Sequence, residues 1–184
     1  MSRIAYPLFA TNAVPDNIKA RDLCFERCDK AFAVRLVELW HSRLPECQSG
    51  PWMFAFHAYH NDVTYAVALW NNPSARTLPN SWVELRRLAA SPDSPRNTCS
   101  RFIGWMVRYF SENHKEFERC ISYQDPAVHD GTIYKASNWK IDYVAGNRVR
   151  DRSAKRVGTN RAYRSNKNGS EVDSLGKVRW SYGL

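Results

Sequence analysis

The sequence predicts an α/β (α+β) fold: a mixed central sheet flanked by helices, followed by a basic C-terminal extension. Three stretches lead to that class. Residues 83–90 (VELRRLAA) alternate apolar and polar side chains as a β-strand does, and Val83, Leu85 and Leu88 are assigned to one face. Residues 98–113 repeat the apolar positions Phe102, Ile103, Met106, Val107 and Phe110 at three- and four-residue spacing, the pattern of an amphipathic helix. Residues 51–61 and 63–70 are two apolar, aromatic-rich runs hinged at Asn61-Asp62, which reads as an antiparallel hairpin. With 184 residues, 43% of them hydrophobic, the chain is long enough to bury one sizeable core.

The remaining elements follow in order. Residues 1–20 form an irregular arm interrupted by Pro7 and Pro15, and residues 22–29 read as a first strand. Residues 31–45 suit a helix with Phe32, Leu36, Leu39 and Trp40 on its packed side, stopped by Pro45. Residues 71–81 are a loop. After the strand at 83–90, two prolines and small polar residues (SPDSPRNT, 91–98) break the pattern and start the long helix. Residues 117–125 form a short strand ending in Asp125, and the polar run 129–139 (HDGTIYKASNW) introduces a further helix. Residues 178–182 have some β character. The division expected is a catalytic domain over 1–145 and a basic tail over 146–184.

Chemistry gathers around the central strand-helix-strand. A helix opening on Arg96, Asn97 and Thr98, with Ser100 in its first turn, points free N–H groups and a positive dipole end outward, which suits a phosphate or another anion. Asp125 at a strand end belongs at the sheet rim, the ligand side of an open α/β sheet. Tyr134 offers a phenol that can pass a proton. The plainer reading has Asp125 capping a turn before Pro126 and Tyr134 filling core.

Composition narrows the partners. No apolar run approaches the ~18 residues of a membrane span. The first residues lack the pattern of a secretory signal. Five scattered cysteines suit free thiols in a cytoplasmic setting. Of the net charge of +9, residues 146–184 hold ten Lys or Arg against Asp151, Glu171 and Asp173, a balance of +7, which leaves +2 for the first 145. Arg148, Arg150, Arg152, Lys155 and Arg156, with Tyr163 nearby, suit contact with the phosphates of double-stranded DNA; the alternative is a solubilising tail. His57 and His60 lie three apart on a strand, which sends their rings to opposite faces and argues against a shared metal.

The order strand, helix, hairpin, strand, helix, strand, helix resembles the GNAT acyltransferase architecture. Four blocks resemble, more narrowly, the Mom family of phage DNA-modification proteins: HSRLP (41–45), ELRRLAASPDSPRNTCSRFIG (84–104), SYQD (122–125) and HDGTIYKASNW (129–139). The resemblance implies a cytoplasmic transferase that converts adenine in duplex DNA to N6-carbamoylmethyladenine and shields phage DNA from restriction. It implies His41, Asp125 and Tyr134 as the catalytic trio, with Ser122, His129 and Asn138 lining the pocket. The first-turn segment 96–101 has no glycine, unlike an ordinary GNAT pyrophosphate loop, which argues against acetyl-CoA. An aminoacyl (glycyl) donor fits the two-carbon amide that is added. The resemblance also keeps iron open, with His41 and Asp125 or His129 as donors if folding unites them. The competing readings are a conventional GNAT N-acetyltransferase and a non-catalytic DNA-binding protein. Nothing in the sequence decides the oligomeric state, a dimer included.

Overall fold

The computed structural model describes residues 18–41, 47, 50–126, 128–145 and 176–184. A 3-10 turn (Ala20–Asp22) leads into β1 (Cys24–Arg27), α1 (Lys30–Trp40), the hairpin β2 (Phe54–His60) and β3 (Val63–Asn71), and β4 (Trp82–Ala90). Then follow α2 (Thr98–Asn113), β5 (Arg119–Gln124), the single-turn α3 (Thr132–Lys135), β6 (Lys140–Val144) and β7 (Val178–Gly183). The seven strands of the described residues join one sheet in the order β1-β2-β3-β4-β5-β7-β6. Among the described residues only β4 and β5 pair in parallel, and α2 is the crossover that a parallel pair requires.

Local chemistry sets the boundaries. The Asp29 carboxylate accepts the Phe32 N–H at 2.9 Å and starts α1, as an N-cap does. Asn61 turns the β2–β3 hairpin at φ +50, a conformation asparagine tolerates better than most residues. On β3, Ala66, Ala68 and Trp70 join one core and Val67 and Leu69 the other, so period-two alternation covers the sheet on both faces. The first core packs against α2 and α3, where Phe110 meets Phe54 at 5.1 Å and Trp70 at 4.8 Å between ring centroids. The second packs against α1 through Phe32, Ala33, Leu36 and Val37.

Three expectations change. Leu39 is 57% exposed, because the packed stripe of α1 is centred on Ala33 and Val37, and Leu39 falls beyond its edge. The strand β6 has no counterpart in the sequence reading; it forms because β7 offers it an antiparallel partner from Lys140↔Ser181 to Val144↔Val178. The boundary at 145/146 also does not hold for the end of the chain. Residues 178–183 sit inside the sheet, between β5 and β6, and Trp180 is part of the core.

One irregularity explains an oddity of the pattern. Leu69 pairs with Arg87 and Trp70 with Leu85, so Arg86 is an extra residue in β4. That bulge resets the alternation and lets Leu88 face the same core as Val83 and Leu85.

Candidate active site

β4 and β5 run together only from Trp82↔Arg119 to Leu85↔Ser122. Past that pair they part, and the Arg86 bulge follows directly on β4. At the point of parting, Ser122 donates its hydroxyl to the Leu85 carbonyl at 3.0 Å. Its proton thus committed, Ser122 Oγ accepts from the Tyr134 phenol at 2.9 Å. Tyr134 is 5% exposed, and burial pushes its phenol above the ordinary value of 10 despite the Ser122 bond. It therefore stays protonated at neutral pH and acts as a donor.

Behind it lies an ordered network. The Tyr134 ring stacks on Trp180, 5.5 Å between centroids and 17° between planes. The Trp180 indole N–H donates to Gln124 Oε1 at 2.7 Å, and Gln124 Nε2 donates to the His129 carbonyl at 2.6 Å. The His129 ring lies 6.2 Å from that of Tyr134. Desolvation holds its imidazole below the ordinary 6.5 against the opposing charges of Asp125 and Asp130.

Asp125 does reach the sheet rim, just after β5, and its carboxylate meets Lys177 Nζ at 2.5 Å. Its main-chain carbonyl also accepts the N–H groups of Val128 and His129, which closes the turn after β5. His41 caps the C-terminal end of α1, its N–H donating to Val37 O at 2.8 Å. It thus ends the helix that covers the second core, whereas Tyr134 belongs to the first. Desolvation, then the charge of Arg87, keep His41 below its ordinary 6.5, hence neutral and able to accept a proton. Arg87 lies over the Trp52 ring at 5.9 Å and donates to the Arg86 carbonyl at 2.8 Å.

The expected anion site is built differently from the expectation. Arg96 and Asn97 are exposed at the start of α2, with Asn97 at φ +69. Thr98 is buried, and both its hydroxyl and its N–H turn back to the Pro95 carbonyl. Ser100 gives its hydroxyl to Asn97 O. What remains exposed there is Arg96 and Asn97, beside a first helical turn whose N–H groups have no i−4 carbonyl within the helix. Arg148, Arg150, Arg152, Lys155 and Arg156 lie outside the described residues.

The donor set considered for iron does not fit a divalent ion. Asp125 is held by the Lys177 ammonium, and His41 has the Arg87 guanidinium as its charged neighbour. Among the described residues no cluster of three or more His, Cys, Asp or Glu could hold a metal. His57 is instead a buried structural group, its ring between Glu26 at 3.1 Å and Thr64 at 3.2 Å.

Sequence reasoning missed Lys177, Trp180, Gln124 and Gly131, which complete the surroundings of Asp125 and Tyr134. It also missed Glu84, 5% exposed, which accepts from the Ser74 N–H at 2.6 Å. Gly131 carried the one available signal, a glycine directly after an aspartate and before a helix.

A mixed sheet whose parallel central pair splays, with a long helix crossing between the two strands, is the architecture of the GNAT fold. Solved structures agree. An acetyltransferase from Bacillus subtilis in complex with CoA superposes with a TM-score of 0.59 at 11% identity, covering 88% of this chain and 99% of that one. A GNAT family acetyltransferase from Elizabethkingia anophelis with acetyl-CoA bound gives 0.59 at 10% identity, covering 89% and 99%. The ribosomal-protein-S18-alanine N-acetyltransferase from Escherichia coli gives 0.54 at 10% identity, covering 88% and 94%. At these identities the likeness shows the fold. No curated protein matches the sequence. The Mom protein family model matches residues 22–179, and the chain belongs to that family. Among the described residues no helix is long and apolar enough to cross a membrane.

Proposed function

We propose that this protein transfers a carbamoylmethyl group to N6 of adenine in double-stranded DNA, a modification that protects phage DNA from restriction. The observation that carries the reading is the Tyr134–Ser122 hydroxyl pair at the parting of β4 and β5, in a chain of the Mom family. The adenine N6 lone pair is delocalised into the ring, so transfer needs help at both ends. N6 bonds to the donor carbon and gives up a proton, while the bond to the leaving group breaks and that group gains negative charge. Tyr134, a protonated phenol, is suited to meet that charge by turning its O–H from Ser122 to the leaving group, and neutral His41 or the Asp125 carboxylate to take the N6 proton.

The basic segment 146–175 supplies charge for duplex phosphates, and flipping the base brings N6 into the site. Mass spectrometry of nucleosides from DNA of cells making the protein tests this directly. Carbamoylmethyladenine is expected; unmodified nucleosides alongside folded protein would overturn the reading.

A second reading, acetyl transfer from acetyl-CoA to a protein or small amine, is favoured by the exposed Arg96 before α2 and by the CoA ligands of the fold's neighbours. The turned-back Thr98 and Ser100 hydroxyls and the absence of glycine from residues 96–101 weigh against it. Calorimetry decides: weak or no acetyl-CoA binding fits the first reading, and saturable micromolar binding the second.

A further inference from the structure

The last strand closes the site from behind. Trp180 is 3% exposed, stacked on Tyr134, and tied through its indole N–H to Gln124. Gln124 in turn holds the His129 carbonyl, so one side chain links the indole to the turn that launches α3. The fit is tight. Gly131 sits at φ +77, and a Cβ there would come within 2.7 Å of both Gln124 Oε1 and Trp180 Cζ2. Tyr134 follows three residues later, its N–H bonded to the Gly131 carbonyl at 3.0 Å. Backbone, amide and indole therefore converge on where the phenol can stand.

We propose that Trp180 is a positioning residue for Tyr134, and that Gln124 is the link that fixes the plane of its indole. The assignment rests on Tyr134 being the proton donor of the transfer. The indole blocks one face of the phenol ring, leaving rotation about the ring axis and the Ser122 bond as the phenol's remaining freedom. Held so, the hydroxyl stays at the parting of β4 and β5, against Ser122. Residues 178–183 thus belong to the catalytic apparatus although they follow the basic segment.

The test uses the full chain labelled with 3-fluorotyrosine at its nine tyrosines, the Tyr134 fluorine resonance being the one that disappears in Tyr134→Phe. Two variants are compared with wild type. Trp180→Phe keeps a ring but loses the indole N–H, and Gln124→Met removes both amide bonds while leaving every ring in place. In both, the titration midpoint of the Tyr134 fluorophenol, raised by burial in wild type, should fall back toward that of the exposed fluorotyrosines as its burial loosens. DNA modification should drop on the order of 10- to 100-fold, the usual cost of a small misplacement. A wild-type midpoint in both variants overturns the proposal, and so does a shifted midpoint with undiminished modification. If wild type itself modifies no DNA, the transfer reading fails and the titration alone decides on positioning. Should Trp180→Phe not fold, Gln124→Met decides by itself.

Discussion

Ser122 and Tyr134 come from different elements and share a hydrogen bond of 2.9 Å, in which the phenol donates because the serine proton is already committed to Leu85 O. The chain of hydroxyls joins α3, β5 and β4 at the last residue pair before the two strands part. Position and polarity coincide there: a buried donor stands where the sheet opens.

Tyr134→Phe should leave the fold intact and reduce DNA modification by roughly 10²–10⁴-fold, as loss of a proton-handling group does. Ser122→Ala should lower it too, and should destabilise the protein by about 1–3 kcal/mol because a buried phenol loses its acceptor. The double variant should be no less stable than Ser122→Ala alone, since no orphaned phenol remains. Nucleoside mass spectrometry and chemical denaturation read the two effects. Additive losses would separate the residues.

Asp125 and Lys177 predict a split between activity and stability. The lysine side chain is 42% exposed, so the ion pair contributes less than about 1 kcal/mol to the fold. Lys177→Met should therefore shift unfolding little. Asp125→Asn should cut modification by about 10²-fold or more. Near-normal modification in Asp125→Asn would remove that carboxylate from the chemistry.

Acid should weaken the fold through its histidines. Burial is the leading cause that holds His41, His57 and His129 below 6.5. Below that pH the unfolded chain takes up protons that the folded chain refuses. Their contribution to stability is complete above pH 6.5 and is lost as pH falls through the folded values. Glu84, raised above 4.5 by burial, acts in the opposite sense, losing stability as pH rises from there. Urea denaturation between pH 5 and 7.5 should show the acid loss, and His57→Gln should flatten it. An unchanged slope in that variant would assign the loss to other groups.

Joint neutralisation of Arg148, Arg150, Arg152, Lys155 and Arg156 should leave a folded protein with weaker DNA affinity. Its salt dependence should also be shallower, by about 0.9 in the log-log slope for each phosphate no longer neutralised. Fluorescence anisotropy across a salt series measures both. If neither changes, the DNA surface lies elsewhere, with Arg86, Arg87, Arg96 and Arg101 the next to test.

Much of the site is legible locally. Asp125 falls at the rim because an apolar strand runs into it, and α2 is bounded by the prolines before it and by its own periodicity. Tyr134 is marked out by its block, but its partner is not, since no pattern says which hydroxyl a phenol will meet across a sheet. The anion site reads as side chains facing out, whereas Thr98 and Ser100 satisfy nearby carbonyls first, a competition that short polar side chains near helix starts commonly win.

From the sequence alone came the class of fold, most strands and helices, the four family blocks and the concentration of charge after residue 145. These depend on periodicity, turn chemistry and residue order, all short-range. Tertiary structure decided the rest. It put Arg86 into a bulge, set β7 between β5 and β6, and brought Lys177 to Asp125 across 52 residues and Trp180 to Gln124 across 56. The physical reason is that strand register and order are settled by what the whole sheet can bury on its two faces. A short run such as VRWSYG has the same local pattern at an edge or at the centre, and only the gap beside β5 shows where it belongs.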